Sequence, residues 1–180
     1  LPPIEETMGI RASRSRSIVF DRTPLLRSRL CAPPSPDSAN LISIGFAFLS
    51  IGIAEAALGA LATVARKEKG GVRLADADWV RQETGLAWAD VSAARLLAER
   101  TAWLADERSP EAMPSSVEAK MHANEVAKRV AATALRVGGG GGYLVSSPVQ
   151  RSFRDAQAGA LMAYSVPFSS GVVGARLLDA

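Results

Sequence analysis

The most constraining feature of the sequence is the apolar stretch from Leu41 to Ala65, which carries a single charge, Glu55. A helix of this length is long enough to span a bilayer. Gly45, Gly52 and Gly59 recur every seven residues on one face of that helix, which lets a neighbouring helix approach closely in a soluble bundle as well as in lipid. A charge near the middle opposes membrane insertion, and the amphipathic helices that follow need an apolar partner. We therefore expect a core helix of a water-soluble bundle and no membrane span.

The rest of the chain alternates between helical patterns and breaks. Residues 76–106 carry apolar side chains at helical spacing and predict a second long helix. A third helix is expected to open with the capping box Ser115 to Glu118 and to stop at the five glycines Gly138 to Gly142. A fourth is expected to begin at Ser147-Pro148, with serine as the N-cap. Pro167 is expected to end or kink that segment before a short last helix from Val172 to Leu178.

The first forty residues have a different character. Ser17 to Asp21 is a short β-prone run, followed by the proline-rich stretch Ala32 to Asp37. The predicted fold is therefore mainly α, an up-down four-helix bundle with a short N-terminal β/loop fragment. We place the domain boundary so that residues 1–38 form the β/loop fragment and linker, and residues 39–180 form the helical bundle.

Composition excludes several classes of function. Six arginines fall in the first thirty residues, but only one aromatic residue, Phe20, lies among them, so we interpret this stretch as a solvated loop and expect no nucleic-acid partner. One cysteine and one histidine exclude an internal disulfide and a metal site built from several histidines. The acidic, proline-broken start is no secretory signal, and the single cysteine favours a reducing compartment. We expect a cytoplasmic protein without a metal. Because the chain lacks an initiator methionine, we expect a piece of a longer polypeptide.

Three segments, in this order and spacing, resemble the acyl-CoA dehydrogenase family. The most specific is the helix Ala119 to Val130, followed by the glycine turn Gly139 to Tyr143 and the Pro-x-x-Arg-x-x-Arg-Asp element Pro148 to Asp155. The other two are the apolar helix around Gly52 to Leu58 and the segment Thr7 to Ser13, which resembles the end of the family's middle β-domain.

This resemblance implies an FAD flavoprotein of lipid metabolism that removes a proton and a hydride from an acyl-CoA thioester. Such proteins have a helical, a β-barrel and a second helical domain, and they assemble as homotetramers through the C-terminal bundles. The partners implied are acyl-CoA or a related small molecule and further copies of the chain, as a dimer or tetramer. By the same comparison the chain begins inside the middle domain. We therefore expect this piece alone to bind flavin weakly or not at all and to be inactive.

The resemblance also assigns cofactor-binding residues. Gly139 and Gly140 correspond to a turn that meets the FAD of a neighbouring subunit; glycine backbone can approach a pyrophosphate closely. Arg136 stands three residues before this turn, where the family commonly has glutamine. Arg66, with Arg73 as the alternative, corresponds to an arginine on the cofactor pyrophosphate at the end of the first bundle helix.

The catalytic base is the main departure from the family. The usual glutamate maps to Ala163, and the minority position maps near Ile42, so neither carries a carboxylate. Two alternatives therefore stay open. One is a flavin-dependent monooxygenase of the same fold, which does not need the glutamate. The other is a non-catalytic assembly module built on the bundle.

Overall fold

The computed structural model describes residues 6–31 and 41–179. Five α-helices make up most of these described residues: α1 (Ile42–Arg66), α2 (Asp78–Asp106), α3 (Ala112–Tyr143), α4 (Pro148–Gly159) and α5 (Val166–Leu178). The predicted boundary at residues 38 and 39 lies outside the described residues. The mainly helical fold is confirmed.

Helices α1 and α3 form the centre of the bundle. They share the largest contact in the molecule, with α2 packed on both of them and α4 also in contact with both, while α5 lies against α3. The core is built mostly from alanine and valine, whose small side chains let the helix backbones approach closely. Apolar α1 contributes Ala47, Ile51, Ala54 and Leu61 to this core, each at most 1% exposed.

The outward face of α1 is not covered within the described chain. Gly45, Gly52 and Gly59 are exposed, and a Cβ added at any of them would meet nothing within 4 Å. Within the described residues, therefore, no helix makes the close approach that the spacing of these glycines allows. By length and composition, α1 is the one described helix that could cross a membrane.

A short hairpin joins α1 to α2, with β1 (Glu68–Lys69) paired antiparallel to β2 (Val72–Arg73). Its turn uses Gly70 and Gly71, both at positive φ, which glycine adopts without a steric penalty. By contrast, the strand expected at Ser17 to Asp21 is wrong, because the structure has irregular backbone there. A single strand without a partner leaves its backbone groups unpaired, and residues 6–31 supply no partner strand.

Two expected helix boundaries are also wrong, both because of a proline. Helix α3 begins at Ala112 and includes Pro114 and Ser115, so the serine caps nothing; its hydroxyl lies 2.7 Å from that of Thr101 on α2. Pro167 lies in the first turn of α5 and does not end a helix. Proline is tolerated in a first turn because the backbone N–H groups there have no partner within the helix.

The expected start of α4 is confirmed. The Ser147 hydroxyl accepts a hydrogen bond of 3.2 Å from the backbone N–H of Val149, and Pro148 follows in the first turn. The glycine run was expected to stop α3, but only Gly139 leaves the helical conformation, and helical backbone then continues to Tyr143.

Candidate functional site

The predicted cofactor-binding residues lie at one end of the bundle. Helix α2 returns along α1 after the hairpin, and α3 returns along α2, so the end of α1, the start of α2 and the end of α3 lie together. Arg66 is the last residue of α1, and Arg136 and Gly139 are near the end of α3. The topology therefore brings to one end of the bundle residues that are about seventy positions apart in the sequence.

Arg66 is exposed, and its guanidinium makes no hydrogen bond or ion pair with the described part of the chain. It lies at an open groove of about 560 Å³ between α1 and α2, which Trp88 and Arg95 also line. Arg73, the alternative, is already engaged, since both its Nε and one terminal nitrogen lie 2.9 Å from Asp76. Of these two arginines, Arg66 is the one with a cation available for an anionic ligand.

Arg136 is committed to a partner on α2. One of its guanidinium nitrogens lies 2.5 Å from a carboxylate oxygen of Glu83. Both side chains are accessible to solvent, so the pair is a weak one. A phosphate contact by Arg136 would compete with this ion pair.

The glycine turn has the backbone that only glycine adopts readily. Gly139 has φ 52° and ψ −147°, a combination that a Cβ atom disfavours strongly. Gly139 and Gly140 are both exposed, and a Cβ at either would meet nothing within 4 Å. The backbone conformation at position 139 thus requires glycine. Gly140, by contrast, faces open space that a ligand or a second chain can occupy.

A second cleft, of about 570 Å³, lies between the N-terminal segment, α1 and α4. Its lining is mostly apolar and includes Phe48 and Ile53, together with three arginines and one acid, which are Arg11, Arg151, Arg154 and Asp155. Such a cleft suits a ligand with an apolar part and an anionic part.

Asp155 and Arg154 hold the N-terminal segment against α4. The Asp155 carboxylate accepts a hydrogen bond of 2.7 Å from the backbone N–H of Ile10, and Arg154 donates to the backbone carbonyl of Met8. Asp155 lies next to Arg154 in the sequence, but none of the described ion pairs includes it. The acidic residue instead fixes backbone from the other end of the chain.

The matched family model is the acyl-CoA dehydrogenase C-terminal domain, and it covers residues 41–163. The chain belongs to this family. The short-chain specific acyl-CoA dehydrogenase of Sus scrofa is 28% identical over 160 residues, which are 85% of this chain and 39% of that protein. The amino sugar nitrososynthase DnmZ of Streptomyces peucetius is 34% identical over 180 residues, covering 92% of this chain and 44% of that protein.

Among solved structures, butyryl-CoA dehydrogenase from Megasphaera elsdenii is similar, with a TM-score of 0.72 and 30% identity. That match covers 76% of this chain and 36% of the other chain. The chain thus spans about two fifths of the length of the relatives it matches. The similarity is to the C-terminal bundle of acyl-CoA dehydrogenases, which are oxidoreductases and flavoproteins.

Ala163, which the resemblance was expected to place at the family's usual glutamate, lies in the turn between α4 and α5. Its φ of 52° is in the left-handed region, and its side chain is exposed. Within the family alignment that the sequence suggests, this turn therefore presents a methyl group and no titratable side chain.

A buried polar network holds this turn, and sequence reasoning missed it. The ammonium group of Lys120, with the residue 0% exposed, donates to the backbone carbonyls of Gly159, at 3.1 Å, and Tyr164. Asn124 donates to the same Gly159 carbonyl at 2.7 Å and accepts from the Ser50 hydroxyl at 2.5 Å. Burial lowers the pKa of Lys120. The signal was available: Lys120 and Asn124 continue the buried stripe of α3 that contains Ala127, so two polar residues occupy core positions.

No group of three potential metal ligands occurs among the described residues. His122, the single histidine, is half-buried in the middle of α3, next to the buried Ala123.

Proposed function

We propose that this bundle forms part of an FAD-dependent acyl-CoA dehydrogenase, which oxidises the α,β-bond of an acyl thioester. The observation that carries the proposal is the arrangement at one end of a family bundle, where the unpaired guanidinium of Arg66 and the open glycine turn at Gly139 and Gly140 lie. The cofactor, when bound, supplies the hydride acceptor of the reaction.

The residues present suit the phosphates of FAD. Arg66 offers a cation without an internal carboxylate partner, and the open space at Gly139 and Gly140 lets a phosphate group approach the backbone closely. Arg136 is a weaker candidate, since the bond to Glu83 must be exchanged for a phosphate contact. The second cleft, lined mostly by apolar residues and by three arginines, supports a substrate that joins an acyl chain to anionic groups.

The test is an FAD titration of the full-length protein, followed by absorbance. Arg66→Gln should weaken FAD binding about 10- to 100-fold, since it removes one charge-assisted contact. Arg73→Gln, at a neighbouring arginine already bound to Asp76, is the matched control and should bind as the unaltered protein does. Equal affinity of the two variants would contradict the assigned role of Arg66, and absence of any flavin binding would favour a non-catalytic module.

A second candidate, a flavin-dependent monooxygenase of the same fold, is favoured by two observations. Ala163 brings no carboxylate to the position of the usual base, and a positioned base contributes about 10²–10⁴-fold to proton abstraction. One relative is named as an amino sugar nitrososynthase, and forming a nitroso group from an amine adds oxygen to nitrogen. Anaerobic bleaching of the bound flavin by acyl-CoA thioesters supports the dehydrogenase. Oxygen consumption coupled to an amine substrate, without such bleaching, supports the monooxygenase.

The same proposal includes self-association through the bundle, as a dimer or tetramer, and a cytoplasmic protein without a membrane span. Glu55, the one charge of the apolar stretch, supports the last point, because it pairs with Arg95 on α2 at the protein surface. A fluorescent fusion imaged in cells and fractionation of membranes test the location. Recovery of the protein in washed membranes would contradict it.

A further inference from the structure

The outward face of α2 carries an apolar seam that no described part of the chain covers. Four large side chains on it remain exposed: Trp79 (46%), Leu86 (69%), Leu96 (66%) and Trp103 (58%). The smaller Ala89 and Ala93 lie between the two leucines and are also exposed. The four central seam positions are three or four residues apart, and each tryptophan lies seven residues beyond the nearer leucine, so all six follow the spacing at which one helix packs along another.

The residue types of the seam are arranged symmetrically about position 91. Trp79 and Trp103 lie twelve residues on either side of that point, Leu86 and Leu96 lie five residues away, and the two alanines lie two residues away. A surface that contacts itself across a two-fold axis needs this symmetry, because residue i must fit residue j and residue j must fit residue i. In an antiparallel pair centred on position 91, each side chain meets one of its own kind.

We propose that α2 pairs antiparallel with α2 of a second copy of this chain, centred on position 91. This inference rests on the self-association proposed above and assigns it to one helix face and one register. Ala89 packs against Ala93 of the second copy, so the two backbones approach closely at the centre of the interface. Leu86 packs against Leu96 of the second copy, and Trp79 stacks beside Trp103 of the second copy at each end.

The polar residues beside the seam and the apolar area that pairing would bury both fit a second copy of this chain as the partner of the seam. Gln82 faces Arg100 of the second copy in this register, and its amide oxygen accepts from the guanidinium. The acids that flank the seam are already neutralised within each chain, Glu83 by Arg136 and Glu99 by Arg95. The eight large apolar side chains of the pair remove roughly 1,000 Å² from water, about the size at which specific interfaces begin.

A charge-swap experiment tests the pairing. Analytical ultracentrifugation measures self-association of the purified protein, of Leu86→Glu/Leu96→Glu and of Leu86→Lys/Leu96→Lys. Each double variant places like charges opposite one another and should raise the Kd of self-association at least a hundredfold, while their equimolar mixture should associate again. Leu177→Glu, which adds the same charge at an exposed leucine on α5, should associate like the unaltered protein. A monomeric unaltered protein, a still-associated glutamate variant or a mixture that stays monomeric would each overturn the proposal.

Cysteine pairs test the register. In a Cys31→Ser background, which removes the one native thiol, Ala89→Cys and Ala93→Cys are oxidised separately and as a mixture. The antiparallel register predicts that the mixed dimer cross-links faster than either variant alone. Faster cross-linking within each single variant would indicate a parallel pair, and cross-linking only through Ala56→Cys would place the interface on the exposed face of α1; both results overturn the proposal. FAD absorbance, recorded in the same samples, reports the proposed function separately.

Discussion

Two glycines of this chain should respond to the same substitution with opposite signs. Gly159 is buried at the end of α4, and a Cβ there would lie 2.7 Å from the amide oxygen of Asn124 and 2.9 Å from the hydroxyl of Ser50. Gly85 is exposed inside α2, and a Cβ there would meet nothing within 4 Å. The two positions therefore separate steric fit from helix propensity.

The magnitudes follow from these environments. Gly159→Ala forces the Asn124 side chain away, which costs about 1–3 kcal/mol in overpacking. It also disturbs the buried hydrogen bonds from Asn124 and Lys120 to the Gly159 carbonyl, at about 1 kcal/mol each. We expect a total destabilisation of about 3–5 kcal/mol. Gly85→Ala should instead stabilise the protein by about 0.5–1 kcal/mol, since alanine loses less backbone entropy in a helix.

The assay is urea unfolding of both variants and the unaltered protein, followed by circular dichroism at 222 nm under identical conditions. The free energy of unfolding should fall for Gly159→Ala and rise for Gly85→Ala. If Gly159→Ala were as stable as Gly85→Ala, the packed network of Ser50, Asn124 and Lys120 would not exist as described. If Gly85→Ala were destabilising, the helical propensity argument for the exposed face of α2 would be wrong.

Three further predictions concern the segments held by α3 and α4. Lys120→Met should lower the free energy of unfolding at pH 7 by about 1–3 kcal/mol through the loss of two hydrogen bonds. Burial lowers the pKa of Lys120 in the folded state, so the unfolded chain keeps this proton to higher pH. The free energy of unfolding of the unaltered protein should therefore increase as pH rises toward 10.5, and its difference from that of Lys120→Met should widen. A difference that stays constant with pH would contradict the lowered pKa. Asp155→Ala should speed hydrogen exchange of the Ile10 amide by about 10- to 100-fold, as read by mass spectrometry, with Asp155→Asn as the control that keeps an acceptor. Ala163→Gly should increase the free energy of unfolding by about 0.5–1 kcal/mol and so raise the melting temperature slightly, since φ of 52° strains alanine. An unchanged or lower melting temperature would argue against the left-handed backbone at position 163.

Much of the bundle was predictable because its helices are long and periodic. The apolar stripe of α2 and the serine and proline at the start of α4 are local signals, and the structure contains both elements. Pro114 and Pro167 misled the prediction because a proline looks the same in sequence whether it ends a helix or opens one. The β-prone run at Ser17 forms no strand because residues 6–31 contain no partner strand, and local sequence does not reveal whether a partner is present.

The candidate site was predictable in its residues and not in its contacts. The resemblance pointed to Arg66 and to the glycine turn, but it did not distinguish Arg66 from Arg73; the bond from Arg73 to Asp76 does. The partner of Asp155 is a backbone N–H 145 residues away, and no local pattern carries that information. Lys120 was overlooked because a lysine on a helix is expected to be solvated, and only its place on the core stripe indicates otherwise.

The attachment of the N-terminal segment has a consequence for how this region can change. The side chains of Asp155 and Arg154 bind main-chain atoms of Ile10 and Met8, and every amino acid except proline at position 10 provides these atoms. Replacing the side chains at positions 8 and 10 therefore leaves the anchoring bonds in place. Gly9 between them is different, because a Cβ there would lie 2.4 Å from the Arg154 carbonyl oxygen. Other residues of the N-terminal segment can thus be substituted while the segment stays bound to α4, provided that Gly9 is kept.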